Sequence, residues 1–358
     1  MRLGIQWPSA VRIRFLTSTP LDISRGSGTY VGIQVLARAL GGLGHKVTIE
    51  TPRRHLPVYT LERLIFNRGL RASADDELTV GFDMDGYRIA EAPGHVAALK
   101  GVIADEARFE RGMTRLTMSM QAARERLHAQ RASRVVVTSE YCAAQARELY
   151  GMERPPAVVP ELIDLKEWRR LLAIYPADSP RFSVLWVGRM YRRKRLEILL
   201  HAAAQLKERI RRLEVRIVGD GPRSGALRDL ARQLKLEGTV TWLGEISRAS
   251  LGEEYNRAHV FCLTSVQEGF GIVLLEAMAA GKPIVAARAA AIPEVVPHGV
   301  LVEPENPEAV AAALLDLYES EERRAELAEA GRRWVEQFDA PIVARVFLDA
   351  ASGKLPQG

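Results

Sequence analysis

The stretch Val260-Phe261-Cys262-Leu263-Thr264-Ser265-Val266-Gln267-Glu268-Gly269-Phe270-Gly271-Ile272-Val273-Leu274-Leu275-Glu276-Ala277-Met278-Ala279-Ala280-Gly281-Lys282-Pro283-Ile284-Val285-Ala286-Ala287 decides the fold. Val260 to Leu263 is a short apolar run and reads as a buried strand. Gly269 and Gly271 mark a tight turn where backbone approaches a ligand closely. Helix formers run from Gly271 to Ala280, and Gly281 with Pro283 stops them. Ile284 to Ala287 reads as a second strand. The order is strand, glycine turn, helix, strand.

That helix is apolar nearly all round and so is predicted to be buried, with Glu276 its one charge. An unpaired buried carboxylate costs several kcal/mol or is forced neutral. A pair of sugar or ribose hydroxyls donating to it offsets that cost, and so does a buried arginine. Glu268 stands at the mouth of the turn. The amides of Gly269 to Ile272 fall at the positive end of the helix dipole, a setting that suits a phosphate.

Two glutamates eight positions apart, Glu268 and Glu276, enclose Glu-Gly-Phe-Gly followed by Leu-Leu-Glu-Ala-Met-Ala. This pattern resembles the acidic motif of retaining nucleotide-sugar glycosyltransferases of family 4, which have the GT-B fold. The resemblance implies an α/β chain with two Rossmann-like parallel-sheet domains facing a central cleft. It implies an N-terminal acceptor-binding domain over residues 1–165 and a C-terminal donor domain over 166–340. Residues 341–358 would be a helix crossing back to the N-terminal domain, with a frayed tail from Gly353.

The chain has 358 residues, enough for two domains, and a formal net charge of +6. That balance favours anionic partners such as nucleotides or phospholipid surfaces. Basic and acidic residues are interspersed, and no basic–aromatic alternation marks a nucleic-acid binder. The two cysteines, Cys142 and Cys262, sit in apolar contexts and offer neither a disulfide framework nor metal-ligand spacing. A cytoplasmic setting is expected, with peripheral membrane contact open, since no signal peptide or long basic amphipathic helix stands out.

In the first half, Val11 to Thr17 reads as a strand, Ser24 to Thr29 as a glycine-rich loop, Tyr30 to Leu43 as a helix and Val47 to Glu50 as the next strand. By the resemblance, Gly28 faces the donor diphosphate. His55 to Arg71 is basic and partly helical, either an acceptor-binding segment or a solvated face. Leu78 to Phe82 and Val96 to Leu99 read as strands, with Tyr87 to Ala90 a short extension or hairpin between them. Asp85 and Lys100 follow these two strands, at carboxyl ends where ligands bind in open α/β sheets, so both are cleft candidates; the family often has histidines there, and His95 lies before the second strand. Lys100 is accordingly a candidate to stabilise leaving-group charge or orient an acceptor hydroxyl; a surface lysine is the competing reading. A long helix is expected over Thr114 to Arg131. Glu161 stands in Pro160-Glu161-Leu162, where the family carries Pro-Asn-Gly. Leu165 to Pro180 reads as a linker and hinge.

In the second half, the strand Phe182 to Val187 leads into Gly188-Arg189-Met190 and then Tyr191-Arg192-Arg193-Lys194-Arg195. Cations at a helix start are unfavourable unless an anion binds there. Gly188, Arg189 and Lys194 resemble the family's diphosphate clamp, while Arg192, Arg193 and Arg195 are expected to be solvated. Leu243 to Ile246 are candidates to face the nucleobase. Strands alternate with helices to the end, the pattern of a parallel sheet covered on both faces.

The expected function is therefore transfer of a sugar from a nucleoside diphosphate to an acceptor hydroxyl on a glycan, lipid or small molecule, with retention. No cofactor or metal is expected. The predicted site comprises Glu268 and Lys100 as catalytic groups, and Gly28, Gly188, Arg189, Lys194, Glu268, Gly269, Phe270, Gly271, Ile272 and Glu276 around the donor. An enzyme of another type on the same fold (a sugar-nucleotide epimerase or a phosphorylase) is a rival, as is a non-catalytic nucleotide-sugar-binding protein or inactive partner subunit.

Overall fold

The computed structural model describes residues 10–19, 28–53, 58–73, 75–174 and 179–353. The chain forms two compact units. The first ends at Glu161 and takes back the chain from Ala340; the second runs from Leu162 to Asp339.

The first unit holds strands β1 (Arg12–Leu16), β2 (Lys46–Glu50), β3 (Leu78–Phe82), β4 (His95–Leu99), β5 (Arg134–Val137) and β6 (Ala157–Val158) in the order β2-β1-β3-β4-β5-β6. Every neighbouring pair is parallel. Val, Leu, Ala and Phe make up most of β3 to β5, and β3 and β4 are buried along their whole length, because helices cover both faces. The sheet reverses its strand order between β1 and β3, so the loops after these two strands diverge and leave room for polar groups. The helix Ala340–Ala351 belongs to this unit and lies against the helix Gly28–Gly42. Phe347 on it meets Phe15 edge-on at 6.4 Å, and Phe15 meets Phe82 at 5.1 Å.

The second unit holds β7 (Phe182–Val187), β8 (Leu213–Val218), β9 (Val240–Gly244), β10 (Val260–Leu263), β11 (Ile284–Ala287) and β12 (Val300–Val302) in the order β12-β11-β10-β7-β8-β9. All pairs are again parallel. This is the doubly wound Rossmann order, whose reversal falls between β7 and β10. The chain enters and leaves this unit side by side: Ile163 forms a parallel bridge with Asp339, and the Asp339 carboxylate accepts from the Leu165 amide at 3.2 Å.

Several local expectations need correction. Leu165 to Leu172 is not a linker but a helix capped by Asp164, and its Trp168 is fully buried edge-on to Tyr255 at 5.5 Å. An apolar stripe of Leu165, Trp168 and Leu171 explains why: it has a core to face. Tyr175 to Asp178, the remainder of the expected hinge, lie outside the described residues. Tyr87 to Ala90 form turns rather than a strand, and His95 opens β4 instead of preceding it. A short helix, Ile103–Ala107, follows β4. Ser24 to Ser27 of the glycine-rich loop, His55 to Pro57 and Lys354 to Gly358 lie outside the described residues.

Candidate active site

The reversal point of the second sheet brings the loops after β7 and β10 together. Val266 N donates to the Arg193 carbonyl at 2.9 Å, and the Thr264 hydroxyl donates to the Arg195 carbonyl at 2.9 Å. The basic run is thereby folded against the acidic loop. Lys194 Nζ donates to Glu268 Oε1 at 2.5 Å, with both side chains largely buried. Arg193 Nε donates to Gln267 Oε1 at 3.0 Å and its guanidinium lies over the Tyr191 ring. Arg195 pairs with Glu305 at 2.9 Å. Arg193 and Arg195 are therefore engaged rather than solvated, because each has a polar partner on a packed neighbouring loop.

Backbone meets backbone where this loop passes the turn after β8. A Cβ on Gly219 would stand 2.1 Å from the Gly188 carbonyl oxygen, and one on Gly221 would stand 2.6 Å from the Met190 amide nitrogen. Glycine is required there to bring the two loops together. Arg189, just beyond, is half-buried; its Nε donates to the Tyr191 hydroxyl at 3.3 Å and its guanidinium faces Glu245 at 3.8 Å. Glu245 belongs to the Leu243–Ile246 segment, in which the other three residues are half-buried.

Gly271, at φ +91°, turns the chain into the helix Ile272–Ala279. Phe270 points into the core, edge-on to Phe338 at 5.7 Å, so only its backbone is available to the loop. Burial works to raise the Glu268 carboxyl, but the charges of Lys194 and Arg193 overcome it and hold the group below the ordinary carboxylate range. Eight residues on, Glu276 has no cation paired with it among the described residues. Tyr255 donates to its Oε2 at 3.0 Å, and burial pushes the carboxyl up to about 7 against weaker opposing pulls from the Arg248 charge and that hydroxyl. Arg248 is occupied elsewhere, stacked on Trp168 and bonded to Glu167 at 3.1 Å. Of the two partners weighed from sequence for Glu276, a buried arginine is thus not in contact with it. The loop offers an ionised carboxylate with its own counter-cation. The helix offers a second carboxyl poised to ionise when hydroxyl donors arrive.

The first unit has a separate polar cluster at the strand ends. Asp85 is fully buried and saturated: its Oδ2 accepts from the Ser18 amide and hydroxyl at 2.7 Å each and from Arg63 at 3.3 Å, and its Oδ1 accepts from Asn67 at 2.8 Å. A carboxylate so filled is a brace, and this corrects the reading of Asp85 as a ligand-facing group. Lys100 Nζ donates to Glu161 Oε2 at 2.8 Å, so the two residues that depart from the family pattern are each other's partners. The Asp83 carbonyl accepts from His128 Nδ1 at 2.6 Å, which leaves His128 Nε2 to accept from His95 Nε2 at 2.8 Å. Burial lowers both rings, His95 to about 3 and His128 to about 4, so both are neutral. Gly28 begins the helix Gly28–Gly42. Tyr255, Arg63, Asn67 and His128 were invisible as site residues, since each pairs with a residue far away in the chain. Tyr255 carried only the signal of an aromatic at core spacing, four residues after Leu251.

Two parallel α/β units, one in Rossmann order with an acidic loop and helix at its reversal point, define the GT-B fold of glycosyltransferases. Sucrose-phosphate synthase from Thermosynechococcus elongatus shares that fold, with a TM-score of 0.76, 22% identity and coverage of 96% of this chain and 99% of that one. Residues 170–334 match the family Glycosyl transferases group 1, and the second unit is a domain of that family. The chain is 34% identical over 217 residues to D-inositol 3-phosphate glycosyltransferase of Nocardiopsis dassonvillei, covering 56% of this chain and 51% of the relative. It is 29% identical over 217 residues to the GDP-mannose-dependent alpha-(1-6)-phosphatidylinositol monomannoside mannosyltransferase of Mycobacterium tuberculosis, covering 56% of each. The chain thus spans about half the length of these curated relatives.

Proposed function

We propose that the protein is a retaining glycosyltransferase that moves a sugar from a nucleoside diphosphate to an acceptor hydroxyl. The observation that carries this is the buried, ion-paired Glu268 beside an unpaired, up-shifted Glu276 at the reversal point of a Rossmann-ordered sheet. In this reading the ribose hydroxyls donate to Glu276. Backbone amides at the start of the helix Ile272–Ala279, together with Arg189 and Lys194, receive the diphosphate. The bond from the sugar's anomeric carbon to the phosphate oxygen breaks, its electron pair leaving with the diphosphate. The acceptor oxygen bonds that carbon on the same face, and its proton passes to the departing phosphate. Glu268 lies against the transferred sugar and offsets its oxocarbenium-like charge. Dipole and cations neutralise the leaving group, so no metal is called for. Lys100, its charge balanced by Glu161, is the first unit's candidate for the acceptor step. Phosphoinositol-type acceptors, as in the names of both curated relatives, are the first to try.

Saturation of Asp85 and neutralisation of Lys100 favour a second reading, a nucleotide-sugar-binding subunit without turnover. Thermal shift with UDP, GDP and ADP tests both. A ligand at about a hundred times its Kd adds roughly 2.7 kcal/mol of stability. One nucleotide should stabilise the wild type and leave Glu276→Ala and Arg189→Ala unmoved. No shift with any of the three at millimolar concentration removes the donor site. A shift without donor consumption, across the acceptors tried, favours the second reading.

A further inference from the structure

Two helices of the first unit are built inside out. In the helix Gly112–Arg131 the buried positions include Gln121, Glu125 and His128, all polar. Its outward face carries Met113, Leu116, Met120 and Leu127, a stripe spaced at three, four and seven residues, with Met113 72% and Leu116 56% exposed. In the helix Tyr59–Gly69 the buried residues are Thr60, Glu62, Arg63, Phe66 and Asn67, while Leu61 and Ile65 (55% exposed) face out. The inward polar groups satisfy one another: Arg63 donates to Gln121 at 2.9 Å, and Gln121 donates to Thr60 at 2.9 Å. These bonds set the helices side by side with their apolar faces turned away from the sheet. Of the ten exposed large hydrophobics among the described residues, eight lie on these two helices or at the residue before the first. The feature is therefore local rather than the ordinary scatter of apolar surface.

The charges are as one-sided as the apolar residues. The only acids of the two helices, Glu62 and Glu125, are buried. Every exposed charge on them is an arginine: Arg68, Arg115, Arg126 and Arg131. Arg131 faces Glu91 at 3.8 Å, and Arg111 adds a further exposed cation at the helix start. A second copy of this chain would bring arginine against arginine across a symmetric contact, with Glu91 at the edge and no exposed acid on the two helices to answer it.

We infer that the outward face of the helices Tyr59–Gly69 and Gly112–Arg131 docks on an anionic lipid bilayer surface. Leucine, isoleucine and methionine side chains enter the boundary between headgroups and acyl chains, and the arginines meet lipid phosphates. The inference is independent of the donor-site reading, since no donor-site residue of the second unit takes part. Cosedimentation of the full chain with sucrose-loaded vesicles tests it, using phosphatidylcholine alone and phosphatidylcholine with one third phosphatidylglycerol. The wild type should pellet with the anionic vesicles, remain in solution with the neutral ones, and be released as salt rises. Met113→Asp with Leu116→Asp should lower vesicle affinity at least about tenfold, as two exposed apolar anchors become anions. Arg115→Gln should lower it about fivefold. All these positions are exposed, so melting temperature should not change and serves as the folding control. Failure of the wild type to bind anionic vesicles, wild-type binding by the double aspartate variant, or a dimer that this variant splits into monomers would each overturn the inference.

Discussion

Glu268 and Glu276 are both nearly buried and titrate in opposite directions, because one has Lys194 against it and the other has only a phenol. The Glu276 carboxyl ordinarily titrates near 4.5 and in the fold near 7, so the native state holds its proton where the unfolded chain has lost it. Its contribution to stability is therefore full below about 4.5 and is lost as pH rises toward about 7. In denaturant unfolding without nucleotide, the wild type should lose stability relative to Glu276→Gln across that window, by up to about 1.4 kcal/mol per pH unit. Nucleotide binding should show the reverse trend, since hydroxyl donors need the ionised form. Affinity should rise up to about tenfold per pH unit on approaching 7 from below and then level off, and Glu276→Gln should abolish that dependence. A dependence of the same size in the variant would assign it to another group. The sequence already marked Glu276 as a charge on a buried helix, but not its partner, because helical and strand periodicities give burial without saying which distant side chain is opposite. Asp85 went astray for the same reason. Its place after a strand was legible, and the four donors that close it come from Ser18 and from Arg63 and Asn67 of the helix Tyr59–Gly69, on two other segments.

At the scale of elements, the site depends on how closely strand-end loops approach. Gly219 and Gly244 both have positive φ, +113° and +65°, but only Gly219 is crowded. Gly244→Ala should cost about 1–2 kcal/mol, the price of a left-handed conformation alone. Gly219→Ala adds a collision with the Gly188 carbonyl and should cost more than Gly244→Ala, with weakened nucleotide stabilisation because the loop carrying Arg189 is displaced. Equal losses in chemical denaturation would show that the close approach is unimportant. Strands were the most legible elements: Leu78 to Phe82, Phe182 to Val187 and Ile284 to Ala287 have the boundaries expected of them, since continuous apolar runs bounded by turn residues suit strands buried on both faces. The helix Leu165–Leu172 was missed because prolines soon after it drew the segment toward a linker reading. The helix Gly112–Arg131 was found, but not its orientation: composition tells that apolar residues share a face, and only the fold tells which way that face points.

For the whole molecule, the decisive feature is that the first unit is discontinuous. The helix Ala340–Ala351 supplies Phe347 to its core, and Arg134 donates to the Ala351 carbonyl at 2.5 Å. A chain ending at Asp339 should lose the calorimetric transition of the first unit, since removal of one buried phenylalanine side chain alone costs about 3–5 kcal/mol. The transition of the second unit, and its shift with nucleotide, should persist. Loss of both transitions would show that the units do not fold separately. That both halves are parallel α/β units was readable from alternating strands and helices, and that one half borrows its last helix was expected only from the family resemblance. The paired crossings at Leu162 and Asp339 also bear on how the protein is made. In the order of synthesis the second unit is complete at Asp339, with both of its ends, which the fold joins through Ile163 and Asp339, already made, while the first still lacks a piece of its core. The half translated first is thus the half that matures last, and its unfinished face must be shielded until the final helix emerges.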